Sequence, residues 1–164
     1  MSGASAGDVI IRPAVADDAA LVLKFIRELA VYERLDGEVV ATEPLLRDTL
    51  FGARPAAEVL LAFCDDEPAG FALFFQNYST FLGRPGIYLE DLFVRRQLRG
   101  RGIGRALLHR VARIARDRDC GRLEWAVLDW NKPAIAFYES IGATAMNEWK
   151  LFRLTGAALS EFVG

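Results

Sequence analysis

The stretch from Ile87 to Asp117 constrains the fold more than any other. It reads IYLEDLFV, then RRQLRGRGIG, then RALLHRVARIARD. The first run is short and rich in aromatic, aliphatic and β-branched residues, which predicts a strand. The last run places Ile103, Leu107, Val111 and Ala115 at helical spacing, widened by Leu108 and Ile114, with arginines on the other face. Between them lie Gly100, Gly102 and Gly104, interleaved with Arg95, Arg96, Arg99 and Arg101. Glycines permit positive φ and a close approach to backbone amides. Those amides open a helix, where unsatisfied donors and the dipole favour an anion. The guanidinium groups add charge and forked donors. The segment therefore reads as a pyrophosphate seat, against the plainer alternative of a solvated basic turn before a surface helix.

Three glycine motifs compete for this loop. A P-loop needs Gly-Lys-Ser/Thr, which the chain lacks. A dinucleotide fingerprint counted from Gly102 needs a third glycine where Leu107 stands. The run Arg99-Gly100-Arg101-Gly102-Ile103-Gly104 instead fits R/Q-x-x-G-x-G/A. The net charge of −2 over 164 residues gives no general pull toward nucleic acid or anionic membrane. The arginines of 95–118 lack any accompanying helix-turn-helix or RNP signature, so no nucleic-acid partner is expected. No apolar run approaches a membrane span, and MSGASAGD has neither a basic nor an apolar signal region. Residues 1–8 read as a flexible tail and 9–164 as one domain. Cys64 and Cys120 lack metal or redox spacing, so free thiols and a cytoplasmic setting are expected. No metal is expected either.

In chain order, Val9 to Arg12 is a strand ended by Pro13. Asp17 or Asp18 would cap a helix running to about Arg34. Thr42-Glu43-Pro44 opens a second helix ending near Phe51-Gly52. Glu58–Cys64 and Ala69–Asn77 form a hairpin with a connection of about four residues, Asp65 to Pro68. After the central strand, loop and helix come a strand at Arg122–Leu128, a helix capped by Asn131 and ended by Gly142, and a last strand within Thr144–Leu154, surest at Trp149–Arg153. Thr155 would cap a short C-terminal helix. The order β-α-α-β-β-β-α-β-α-β predicts a single α/β domain, with helices on both faces of a mixed, mostly antiparallel sheet.

The loop pattern resembles the coenzyme A pyrophosphate loop of the GCN5-related N-acetyltransferases (GNAT), and the element order is that of the family. IRPA at 11–14, ELAVYE at 28–33, YLEDLFV at 88–94, RGRGIG at 99–104 and WNKPAIAFYESIGA at 130–143 narrow the resemblance. They are similar to the diamine (spermidine/spermine-type) branch and to relatives that acetylate thialysine and other small amines. The resemblance implies acetyl-CoA as cosubstrate. Leu92, Phe93 and Val94 would pair with pantetheine amides. Arg99, Gly100, Arg101, Gly102, Ile103, Gly104 and Arg105 would hold the pyrophosphate. Asn131, Lys132, Pro133, Ala134 and Tyr138 would line the cofactor's other side. Tyr138 matches the family's general acid, and Tyr32, Glu33, Glu90, Glu124, Trp125 and Ala126 match positions facing the amine. The resemblance also implies a homodimer. Glu139 departs from relatives that carry a basic residue near this point.

An alkyl ammonium has a pKa near 10.4, so removing its proton at pH 7 costs about 4–5 kcal/mol. Glu90 is the expected base. In a regular strand Asp91 would point to the opposite face and serve as a structural hydrogen-bond acceptor. Glu33, Glu90, Glu124 and Asp129 would cradle a cation, with Trp125 or Trp130 adding cation–π contact. The readings to be separated are transfer to a polyamine, diamine or lysine-like amino acid, transfer to a protein amine, and a coenzyme-A-binding module without turnover.

Overall fold

A computed structural model describes residues 7–164 of the chain. The first strand, β1 (Val9–Pro13), leads through a 3₁₀ turn into α1 (Ala19–Glu33) and then α2 (Glu43–Phe51). Three strands follow: β2 (Glu58–Cys64), β3 (Glu67–Ser79) and β4 (Arg84–Val94). After the glycine loop come α3 (Ile103–Asp117) and β5 (Leu123–Trp125), then α4 (Lys132–Ser140) and α5 (Gly156–Val163). The strands lie in sequence order, antiparallel throughout except for the parallel pair β4–β5. The chain divides into two compact units, Met1–Ala126 and Val127–Gly164.

In the first unit the sheet is covered on both faces. Phe71, Phe93, Val59 and Leu61 point to one face and pack under Val22, Phe25 and Leu29 of α1 and Leu46 and Leu50 of α2. Phe25 stacks on Phe71 with ring centroids 5.6 Å apart. Leu60, Ala72, Phe74, Ile87 and Leu89 have the opposite parity and are buried, with Ile103, Leu107 and Val111 of α3 on that side. Each large apolar side chain enclosed in this way contributes about 1.5–3 kcal/mol.

Local chemistry sets the boundaries. Thr42 Oγ1 accepts from the Leu45 amide, capping α2. Arg34 closes α1 in the left-handed region, its amide donating to Ala30 and Val31. Asp18 does not cap α1; its carboxylate takes a bidentate bond from Arg12 and another from the Val15 amide. The hairpin β2–β3 turns on two residues rather than four. Asp65 and Asp66 both have positive φ (50° and 65°), the primed-turn geometry that suits strand twist. Asp8 donates its amide to Asp65 Oδ1 and accepts from the Asp65 amide, so the expected tail is tied down at Asp8. Residues 1–6 of that tail lie outside the described residues.

Two strand expectations are corrected. β5 stops at Trp125 rather than Leu128, because Leu128 already accepts from the Asn131 amide in the turn before α4. No strand forms within Thr144–Leu154. Within 127–164 there is no second strand to pair with, and a lone strand leaves both rows of backbone groups without partners.

Candidate active site

The register of β4 carries the site. Leu73 of β3 pairs with Asp91, yet Phe74 pairs with Leu89, so Glu90 is an extra residue. This is a β-bulge, which bends a strand and re-aims its side chains. It removes the alternation that would have sent Glu90 and Asp91 to opposite faces. Asp91, opposite Leu73, lies on the α1 face, and burial together with the charges of Glu90 and Glu33 pushes its pKa up to about 7. Burial and then Glu90 also push Glu33, at the end of α1, above the ordinary carboxylate range. Three carboxylates therefore converge on one face, and Asp91 lies with Glu90 rather than on the opposite face expected of it.

The same face continues down the strand. Tyr88 pairs with Glu124 of β5 and with Phe75 of β3, whose ring lies 5.3 Å from the Tyr88 ring. Burial, Glu90 and Glu124 each raise the Tyr88 phenol. Asn77 Nδ2 donates to Glu124 Oε1, which also bonds Arg122 Nε at 2.9 Å. Trp125 pairs with Leu89 and so lies on the α3 face, and Ala126 is exposed beyond the strand. Of the expected segment Glu124–Ala126, only Glu124 shares the acidic face. Sequence reasoning missed Phe75, Asn77 and Tyr88; the Leu89–Leu92 spacing was the available signal, because it breaks period-2 alternation.

Beyond the bulge β4 diverges from β5, with ladder pairs only over Ile87–Leu89. Leu92, Phe93 and Val94 keep partners on the β3 side alone. The slot so opened suits a ligand amide chain, although Arg99 Nε already donates to Val94 O. Past it, Gly100 and Gly102 take φ of 77° and 78°, and a Cβ at either would meet nothing within 4 Å. Gly102 precedes α3 with no side-chain cap, so the first amides of a 15-residue helix are offered to whatever occupies that space. These features fit a pyrophosphate.

The arginines divide by role. Arg95 binds Glu28 through two nitrogens at 2.9 and 2.8 Å, donates to Pro68 O and covers the Phe25 ring. It is a structural tie. Arg101 reaches the Cys64 sulfur, at 3.9 Å. Arg99 lies 4.4 Å over the Tyr32 ring, and both line a cavity of about 810 Å³. Lys24, Arg96 and Arg99 make the lining of that cavity basic, beside the paired Glu28 and Arg95. A basic lining beside Phe93 and an acidic group around Asp91 thus lie two residues apart on β4.

In the second unit Asn131 Oδ1 accepts from the Ala134 amide and caps α4, with Pro133 in its first turn. Tyr138 sits near the end of α4, its ring 5.5 Å from Phe137, and its carbonyl accepts from Ile141 and Ala143. Gly142, at φ 87°, ends the helix as expected. Cys64 and Cys120 are free thiols. Among the described residues, no group of three or more His, Cys, Asp or Glu side chains is placed to hold a metal, and no helix is long and apolar enough to cross a membrane.

Comparison with known proteins agrees with this geometry. Residues 25–143 match the Acetyltransferase (GNAT) family. The chain is 40% identical to a thialysine N-epsilon-acetyltransferase of Bos taurus, covering 95% of this chain and 98% of that one. It is 37% identical to an L-ornithine N5-acetyltransferase of Arabidopsis thaliana, over 91% and 85% of the two lengths. An integron cassette protein from V. cholerae superposes with a TM-score of 0.80 at 29% identity, covering 98% of this chain.

Proposed function

The chain belongs to the acetyltransferase (GNAT) family and is an N-acetyltransferase, and from that premise we propose that it transfers acetyl from acetyl-CoA to a primary amine of a small cationic acceptor. The observation that carries the acceptor class is the convergence of Glu33, Glu90 and Asp91 on one face, with Glu124 farther along it. Like charges held this close raise one another's proton affinity, and an ammonium ion relieves them. A relative named for thialysine and another named for ornithine agree with an amine of that kind.

Acetyl-CoA, when bound, supplies an activated acetyl thioester. Gly100, Arg101, Gly102, Ile103, Gly104 and Arg105 receive its pyrophosphate on backbone amides, with Arg99 beside them. Leu92, Phe93 and Val94 offer the open strand edge, and Asn131, Lys132, Pro133 and Ala134 are assigned to the same cofactor by the family resemblance alone. Glu33 and Glu124 hold the acceptor's positive charge. Glu90 takes the ammonium proton, and Asp91, with its pKa near 7, stores it close to the working pH. Tyr138 Oη keeps a proton for the leaving group. The protein works as a homodimer in a reducing compartment. The free thiols agree with the compartment. The dimer has a ready surface in the β3–β4 hairpin, where Phe81 is 98% and Tyr78 61% exposed.

The test is thiol release from acetyl-CoA with a panel of diamines, polyamines and amino acids bearing a side-chain amine. Turnover is expected with small amines, reduced about 10²–10³-fold by Tyr138→Phe and strongly reduced by Glu90→Gln. Acetyl-CoA binding without thiol release for any small amine would refute the acceptor class and leave a protein acceptor or a module without turnover.

A further inference from the structure

Beyond Tyr88, on the face that carries Glu90, the first unit assembles a polar cluster around Glu124, whose other members the transfer chemistry does not use. Gly86 points to this face and has no side chain. A Cβ there would lie 2.5 Å from Asn77 Oδ1 and 3.5 Å from Arg122 Cγ. The glycine is thus what lets Asn77, from β3, and Arg122, beside β5, meet over β4. Both hold Glu124: Asn77 Nδ2 at 3.4 Å and Arg122 Nε at 2.9 Å. Glu124 and Arg122 keep 38% and 43% of their side-chain surface open to solvent. Asn77 Oδ1 is buried without a donor, the one such side-chain atom among the described residues. The cluster contains one cation, one anion and an acceptor lacking a proton.

We propose that Arg122, Glu124 and Asn77 form a head-group subsite that receives the α-carboxylate and α-ammonium of an amino acid whose side-chain amine is the one acetylated. The α-ammonium binds Glu124 and the α-carboxylate binds Arg122, so the protein's ion pair and the ligand's opposite charges close into a ring of alternating sign. Arg122 meets Glu124 as an ion pair through Nε at 2.9 Å, and its guanidinium carries two further nitrogens whose forked donors suit a second carboxylate. The spacing agrees. Glu124 pairs with Tyr88, two residues from Glu90. At about 3.3 Å per residue along the strands and about 4.8 Å between them, the backbone positions of the two acids are roughly 8 Å apart. With bonds of about 1.5 Å, the α-carbon and the three or four methylenes of such an amino acid separate its two nitrogens by roughly 6–7.5 Å when extended, within reach of the two carboxylates. Tyr88 and Phe75 floor the interval with stacked rings, an apolar surface for those methylenes. A polyamine has no use for Arg122; an amino acid does.

This inference rests on the small-amine reading, and the test separates the two. Thiol release is measured for L-ornithine and for putrescine, which differ only in the carboxylate, and likewise for L-lysine and cadaverine. The unmodified enzyme is expected to favour each amino acid over its diamine by roughly 10- to 100-fold in kcat/KM, the scale of one charged hydrogen bond. Arg122→Gln should abolish that preference through KM, lowering amino-acid turnover at least tenfold more than diamine turnover, and Arg122→Lys should restore part of it. Equal or better use of diamines by the unmodified enzyme would overturn the inference while leaving the small-amine function intact, whether or not the variants fold. An equal loss for both substrate types in folded Arg122→Gln would also overturn it, marking Arg122 as a support for β5. Thiol release with no amine at all would remove both readings.

Discussion

Replacing Asp91 with Asn should make the enzyme more stable above neutral pH and less active there. Asp91 has its pKa raised to about 7 by burial and by Glu90 and Glu33, whereas in the unfolded chain it titrates near 3.9. Between those values the folded protein holds a proton that the unfolded chain has released. Stability therefore falls as pH rises through this window and is level outside it. At about 1.36 kcal/mol per pH unit, a difference of roughly three units sets a ceiling of about 4 kcal/mol. Relaxation and neighbouring water reduce this, so about 2–3 kcal/mol is expected between pH 5 and pH 8. Asn has nearly the same shape and stays neutral. Asp91→Asn should match the parent protein at pH 5, apart from a constant offset, and exceed it progressively up to pH 8. For a chain of this length that corresponds to about 5–10 °C in Tm. Urea unfolding of both proteins at pH 5, 6, 7 and 8 measures the gap. Turnover at pH 8 should move the other way, because the variant cannot store the acceptor's proton. A stability gap that stays constant across the series would refute the argument that Asp91 is held protonated by its neighbours.

The remaining predictions follow from the same contacts. Binding of a cationic amine near pH 6.5 should release up to about one proton from Asp91, read by calorimetry in two buffers of different ionisation enthalpy. Gly102, at φ 78° with open space around a Cβ, should tolerate alanine at a cost of about 1–2 kcal/mol in Tm measurements, while coenzyme A affinity falls more than tenfold because the methyl group fills the anion's approach. Arg95→Gln breaks the bidentate bond to Glu28 and leaves that carboxylate partly buried, so urea unfolding should show a loss of about 2–3 kcal/mol with little change in KM.

The glycine loop before α3 was legible in the sequence because its physics is local. Positive φ at Gly100 and Gly102 and the uncapped start of α3 follow from residue types at fixed spacing. The caps at Thr42 and Asn131 and the stop at Gly142 were legible for the same reason. What requires a partner was less so. The strand expected at Trp149–Arg153 has suitable residues, but a strand exists only with a neighbour to bond. Asp18 has the right residue type and position to cap α1, yet Arg12 offers it a charged bidentate bond, stronger than a cap.

The acidic face was legible only in part, and the reason is a single inserted residue. Ile87 and Leu89 are buried toward α3, whereas Phe93 is buried toward α1. Odd-numbered positions thus change face between 89 and 93, which a regular strand cannot do. The bulge at Glu90 makes the change, with three consequences. It brings Glu90 and Asp91 to one side, where they raise each other's cost of ionisation and create a demand for a cation. It bends β4 away from β5, so that Leu92 to Val94 keep an unpaired edge. It leaves Tyr88 and Glu124 in register below the bend. A regular strand would have buried Asp91 in the apolar layer under α3, where its charge has no partner. The two adjacent acids in a β-run are therefore themselves the sequence sign of the bulge, since without it one of them has no tolerable environment.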